Sequence, residues 1–188
     1  MSNSLYKNGN IIELINLAQN GDVRAIEALI RREQKHIYAI FAHLTAKKED
    51  ISDLTQETLL KMARNINKLK EPERFRHWLN KIISNTFHDY SKKNKLNFVE
   101  LSNDELEEIK DKIGCEPGER CIFTEVEKLI RSALFTLPKN LRLTLILREY
   151  EGLSYEDISK ITNTNPGTVK SRISRARIKL REILEGFI

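Results

Sequence analysis

A chain of 188 residues, 40% hydrophobic and 31% charged, has room for one or two small packed units. Its net charge of +5 favours a polyanionic partner only weakly, so the placement of charge matters more than the total. No run approaches the roughly 18–20 apolar residues of a membrane span, residues 1–10 lack the layout of a signal peptide, and Cys115 and Cys121 have no histidines beside them. These features argue against a membrane protein, a secreted disulfide scaffold and a zinc module, and for a cytosolic chain.

Helical periodicity dominates, and strand-like alternation is nearly absent. A short helix is expected around residues 11–18. Gly21-Asp22 then reads as a break and an N-cap, followed by Val23, Ile26, Leu29, Ile30, Ile37, Ile40, Phe41 and Leu44 at three- and four-residue steps. A third helix is expected from near Ser52, with Leu54, Thr58, Met62 and Ile66 inward. Glu71-Pro72 opens a fourth, since proline suits a first-turn position that needs no donor. Its apolar stripe is Phe75, Trp78, Leu79, Ile82, Ile83 and Tyr90; Arg74, His77, Lys81, Asn85, His88 and Lys92 share the other face. Phe75 and Trp78 could stack on bases, but their place on the apolar stripe favours the core.

From 97 to 123 the pattern fails. Eight acidic residues and the breakers Gly114, Pro117 and Gly118 mark a linker, with at most a short turn near Glu105. Order resumes at Thr124-Glu125-Val126-Glu127, a capping-box pattern. Pro138 opens a helix that ends at Gly152, and Ser154-Tyr155-Glu156-Asp157 caps the next. A tight turn at residues 163–165 leads to a last helix opened by Pro166.

Residues 153–184 have the layout of a helix-turn-helix. The second helix turns Val169, Ile173, Ala176, Leu180 and Ile183 inward at steps of four, three, four and three. Near its start, Lys170, Ser171, Ser174 and Arg175 occupy the face that in this motif enters a major groove, where Arg and Lys can donate to guanine edges. Thr168 and the helix N-terminus can hold a phosphate, and Arg172, Arg177, Lys179 and Arg181 can neutralise phosphates or bind a partner. A solvated basic helix explains the charge alone. Capping, turn length, seam and basic start together favour DNA.

Among the histidines, His36 and His43 share a helix face, but no His-Glu-x-x-His cluster, glycine-rich phosphate loop or nucleophile elbow accompanies them. No catalytic or metal-binding residue, cofactor or small-molecule substrate is expected.

Gly152-Leu-Ser-Tyr-Glu-Asp-Ile-Ser, Pro166-Gly-Thr-Val-Lys-Ser-Arg-Ile-Ser-Arg-Ala-Arg and Leu137-Pro-Lys-Asn-Leu-Arg-Leu closely resemble the last domain of bacterial sigma factors. Gly21-Asp22 with Ala25, then Asp53-Leu-Thr-Gln-Glu-Thr-Leu-Leu-Lys and Phe75-Arg-His-Trp-Leu-Asn-Lys-Ile-Ile-Ser-Asn, resemble the second sigma domain in order and spacing. The resemblance spans nearly everything but the linker. It is to the extracytoplasmic-function subfamily of the sigma-70 family, near its sigma-E, envelope-stress branch.

The resemblance implies an all-α chain of two small helical domains: residues 10–95 as sigma domain two, an acidic linker at 96–123, and residues 124–186 as a helix-turn-helix, winged-helix-like sigma domain four. It implies an alternative sigma factor serving a stress or envelope response. Partners would be core RNA polymerase (its clamp coiled coil and flap), promoter DNA and a membrane-anchored anti-sigma factor that could hold the cytoplasmic chain at the inner membrane.

It also assigns residues. Asp53, Gln56, Glu57, Leu60, Lys61 and Arg64 would dock on the clamp; an exposed leucine ringed by charges suits an interface. Leu69, Lys70, Glu71, Arg74, His77, Lys81, Asn85, His88 and Lys92 would capture and line the melted minus-ten strand. Arg148, Tyr155, Glu156, Thr168, Lys170, Ser171, Ser174 and Arg175 would meet the minus-thirty-five element. Some sigma-E-like members carry an aromatic residue where this chain has Ser174. The acidic linker would thread toward the polymerase active centre, or serve as a solvated spacer. A self-contained regulator of the LuxR type shares the Gly-Leu-Ser and Thr-Val-Lys pattern but usually brings a domain of alternating strands and helices, which residues 11–95 lack.

Overall fold

The computed structural model describes Tyr6 and residues 9–93 and 125–185. Among them are eight α-helices and no strand, and so no wing beside the helix-turn-helix. The linker, the turn expected near Glu105 and the capping Thr124 lie outside the described residues.

The first helix, α1 (Ile11–Gln19), is capped by Asn10, whose side chain accepts from the Ile12 amide. Gly21 takes φ +86°, a conformation open to glycine at little cost, and turns the chain into Asp22. The Asp22 carboxylate accepts from the amides of Arg24 at 2.8 Å and Ala25 at 3.2 Å, starting α2 (Val23–Leu44). Tyr6 donates its hydroxyl to the same carboxylate at 2.8 Å. The 22 residues of α2 run about 33 Å and bury Leu29, Ile37, Ile40, Phe41 and Leu44. Val23, which fits the apolar repeat, is 65% exposed, whereas Ala25 in the same turn is the residue that faces the core.

Helix α3 (Lys48–Asn65) begins a turn earlier than the expected Ser52. Lys47 makes no side-chain cap; Glu49 and Asp50 in the first turn complement the positive helix end instead. Leu54, Thr58, Met62 and Ile66 are buried as their spacing predicts. Two 3-10 turns, Ile66–Lys68 and Pro72–Arg74, lead to α4 (Phe75–Lys93). Pro72 thus opens a 3-10 turn, and the α-helix starts at Phe75. Phe75, Leu79 and Ile83 are buried, and Trp78 packs against the core with its ring 6.0 Å from that of Phe75.

In the C-terminal half, α5 (Glu125–Thr136) leads through Leu137-Pro138 to α6 (Lys139–Glu149). Helix α6 buries Leu141, Leu143, Thr144, Leu145, Ile146 and Leu147, which point in every direction around its axis. A helix apolar all round must be enclosed. Here α8 and α7 cover it on one side and α2 of the N-terminal half on another. Gly152 (φ +67°) ends the turn after α6. Ser154 caps α7 (Tyr155–Thr162), accepting from the Asp157 amide at 3.0 Å and donating to its carboxylate at 2.7 Å. Asn163, left-handed at φ 51°, closes α7, and α8 (Pro166–Glu185) follows.

The buried apolar residues of the two halves form one continuous cluster. Arg131 and Arg142 cross between them, donating to the carbonyls of Ala42 (2.7 Å) and Leu44 (2.8 Å) at the end of α2. The last carbonyls of a helix have no partner within it and carry partial negative charge, so two guanidiniums there supply both hydrogen bonds and charge.

Candidate nucleic-acid interface

Helix α8 presents its first two turns to solvent because Val169, Ile173 and Ala176 fix its other side in the core. Lys170, Ser171, Ser174 and Arg175 are all exposed on that outer face. Ser171 donates to the Thr168 carbonyl at 3.0 Å, and Arg175 folds back on Ser171, with Nε 3.2 Å from its carbonyl and Nη2 3.3 Å from its hydroxyl. The guanidinium is therefore held beside the serine on the exposed face. Thr168 differs from expectation. Its amide already donates to the Asn165 side chain at 2.8 Å, so one donor assigned to a phosphate is spent on the cap.

Arg148 and Tyr155 also hold each other. Arg148 Nη1 donates to the Leu153 carbonyl at 2.7 Å, and its guanidinium lies 5.1 Å over the Tyr155 ring. The pair braces the entry to α7, while Glu156 is exposed beside it. Arg177 is tied to Glu149 of α6 through two nitrogens, away from the outer face of α8.

A second polar face runs along α4. Arg74, Lys81, Asn85, His88 and Lys92 are exposed. Steps of four, three and four residues keep Lys81, Asn85, His88 and Lys92 on one side of the helix over about 17 Å, and Arg74 continues the row from the preceding 3-10 turn. His77 belongs to the same row but is half-buried, with Nδ1 3.6 Å from the Asp157 carboxylate of α7. Lys70 and Glu71 are exposed in the preceding loop, where Glu71 pairs with Arg74 at 3.2 Å. Leu69 is 6% exposed, so it anchors this loop in the core and is not presented to a strand. Gln19 also fixes the loop, donating to the carbonyls of Ile66 (3.0 Å) and Leu69 (2.7 Å). Nothing in the sequence pattern around Gln19 signals that role, because its partners lie 47 and 50 residues away.

On α3, Asp53, Gln56, Glu57, Leu60 and Arg64 share an exposed face, with Leu60 54% exposed at its centre. Lys61 is drawn aside. It pairs with Glu57 at 2.7 Å and donates to Thr86 of α4 at 3.1 Å. The expected face thus exists, with Lys61 as its strut to the neighbouring helix.

His36 and His43 do share a face of α2, and both rings meet Tyr150 of the C-terminal half, at centroid distances of 6.1 and 5.3 Å. Among the described residues no cluster of histidine, cysteine or carboxylate side chains could hold a metal, and no helix is long and apolar enough to cross a membrane.

The sigma-70 region 2 family model matches residues 29–96, and the sigma-70 region 4 model matches residues 127–180. The chain is 30% identical over 172 residues to the ECF RNA polymerase sigma-E factor of Haemophilus influenzae, covering 87% of this chain and 89% of that one. It is 31% identical over 182 residues to the RNA polymerase sigma-H factor of Pseudomonas aeruginosa, covering 92% and 93%. Its fold matches the sigma factor RpoE of Bartonella quintana, solved with the anti-sigma factor NepR, at a TM-score of 0.66 and 26% identity, covering 87% of this chain and 98% of that one. With α4 and α8 presenting separate polar faces and both region models matched in order, the chain belongs to the extracytoplasmic-function group of the sigma-70 family and is an alternative RNA polymerase sigma factor.

Proposed function

We propose that this chain joins core RNA polymerase through the α3 face around Leu60, holds the melted minus-ten strand along α4, and reads the minus-thirty-five duplex with the start of α8. The observation that carries the reading is the pairing of two unlike surfaces: a basic, serine-bearing recognition-helix start and a long polar row of amide, imidazole and ammonium groups. The first suits base edges in a groove. The second suits an unpaired strand, whose phosphates and exposed bases need donors and charge along a path. The chemistry of initiation belongs to polymerase; this chain supplies position.

A flap contact falls to the C-terminal half, where Leu145, Leu180 and Leu184 floor a groove between α6 and α8, rimmed by Glu149, Arg177 and Arg181. An apolar floor with a charged rim fits an amphipathic helix. A membrane-anchored anti-sigma factor is the proposed regulator, covering either DNA face or the α3 face. The resemblance to the sigma-E branch supports an envelope or stress regulon as part of this proposal.

The test is transcription in vitro with core polymerase and a genomic promoter library. The chain should confer starts at a defined promoter subset. If it fails to join core polymerase, or joins it without changing start-site choice, the reading is wrong. Leu60→Asp should abolish co-purification with core polymerase while helix content is kept; retained co-purification removes the docking face.

A further inference from the structure

The polar row of α4 begins before the helix, in the loop that carries Lys70, Glu71 and Arg74, and the backbone of that loop is held from α1. Helix α1 ends in a defined way. The Gly21 amide donates to the Ala18 carbonyl at 3.1 Å and the Asp22 amide to the Leu17 carbonyl at 3.0 Å. These are the two crossed bonds of a Schellman turn, with Gly21 at its left-handed position. Asp22 then caps α2, so one dipeptide both ends α1 and starts α2. Gln19 is the last residue of α1, and this turn sets its place. Its side-chain nitrogen donates to two carbonyls at once, Leu69 at 2.7 Å and Ile66 at 3.0 Å.

Those carbonyls form the root of the loop. Ile66 and Leu69 bury their side chains, and the Leu69 amide closes the first 3-10 turn on the Ile66 carbonyl at 3.1 Å. At the far end the Arg74 amide donates to the Glu71 carbonyl at 2.9 Å, and the Pro72 ring fixes its own φ. Glu71, preceding the proline, is extended at φ −121° and ψ 98°, as that position requires. Lys70 and Glu71, both exposed, thus lie between two fixed ends. Helix α1 touches both 3-10 turns, and Gln19 supplies its hydrogen bonds to the first. A loop that holds one base of an unpaired strand must be ordered before the strand arrives. Ordering it during binding subtracts from affinity, and a loose site accepts several bases.

We propose that Gln19 is a positioning residue for minus-ten readout. It acts through the backbone of residues 66–69, and not through contact with the strand, so that Lys70, Glu71 and Arg74 meet one base in one geometry. The proposal rests on the minus-ten reading above and deepens it.

The experiment uses the full-length chain assembled with core polymerase and compares it with Gln19→Met, which keeps the length of the side chain and removes both donors. The probe is a single-stranded minus-ten oligonucleotide from a promoter that the holoenzyme selects, with each base substituted in turn. Gln19→Met should bind the preferred strand about fivefold more weakly, as expected for the loss of one or two net hydrogen bonds. Non-preferred strands should change little, so discrimination at the position the loop holds falls by a similar factor. Binding to a minus-thirty-five duplex and to core polymerase should stay within about twofold, since those faces are independent of the loop. In the free chain, hydrogen exchange of the backbone amides between 69 and 74 should speed up while α1 and α4 keep their protection. Glu71→Ala combined with Gln19→Met should cost less than the sum of the two, because both act at one loop. Should Gln19→Met not fold, Gln19→Asn, whose amide ends one methylene short, is read in its place by the same measurements. Unchanged discrimination, equal loss on every strand, or unchanged exchange in the loop overturns the positioning role. A holoenzyme of the unaltered chain with no base preference on the single strand would instead overturn the minus-ten reading.

Discussion

Arg175 shows how a single side chain can be both placed and free. Its backbone sits on a helix whose inner side is fixed by Val169, Ile173 and Ala176, so the Cα position is well determined. Its guanidinium, by contrast, rests only on Ser171, through bonds to neutral acceptors at 3.2 and 3.3 Å in an exposed setting. Such bonds contribute little net free energy in water, so a guanine edge offering two acceptors should win the donor pair. Arg175→Ala is expected to weaken minus-thirty-five recognition by about 1–3 kcal/mol and to relax base preference at one position. Lys170→Ala should weaken binding more evenly across sequences and flatten its salt dependence, as loss of a phosphate contact does. Titration of duplexes substituted base by base, at two salt concentrations, separates the two outcomes. Equal loss on all duplexes for Arg175→Ala would remove it from base readout.

At the scale of the element, α7 depends on its cap. Ser154 receives the Asp157 amide and donates to the Asp157 carboxylate, a reciprocal pair that fixes the first turn. The hydrogen bond from Ser154 is the main reason the Asp157 carboxyl sits below its ordinary pKa, with His77 and Lys160 adding attraction against a burial cost. Ser154→Ala should therefore cost about 0.5–2 kcal/mol in thermal or denaturant unfolding. It should also return the Asp157 carboxyl toward its ordinary pKa, which carboxylate NMR can follow. Because the folded pKa is lowered, the associated stability is present above the ordinary value of 3.8 and fades as pH falls through the folded value. An unmoved Asp157 titration in the variant would show that Ser154 does not set it. This cap was legible in the sequence, as were the Asp22 cap, the α8 seam and the three exposed faces, because each is written in spacings of three and four along one helix. The first turn of α3 was not, since Lys47 carries no capping side chain and acidic residues do that work.

At the scale of the whole molecule, the sequence was least informative where one half meets the other. Arg131, Arg142 and Glu151 carry no mark in the sequence pattern, because their cross-half partners are backbone carbonyls and side chains dozens of residues away, and no periodicity encodes that. Burial is the signal that marks them: Arg142 has its pKa brought down to about 10 chiefly by desolvation, and it bonds Phe135 and Leu137 within its own half as well as Leu44 across the interface. His43 lies at the same junction, its ring 5.3 Å from that of Tyr150. Burial, and then the charge of Arg131, lower its pKa below the ordinary 6.5. A lowered folded pKa means that separated halves bind the proton more readily than the packed form. The contribution of neutral His43 is complete above about pH 6.5 and is lost as pH falls from there through the folded value. Acidification should thus favour separation of the halves, with the radius of gyration of the free chain rising as pH falls below the ordinary histidine value of 6.5. His43→Phe keeps a ring against Tyr150 without a titrating nitrogen. The difference between its pH profile and that of the unaltered chain isolates His43 from every other titrating group, and identical profiles would exclude His43 as the source of acid sensitivity.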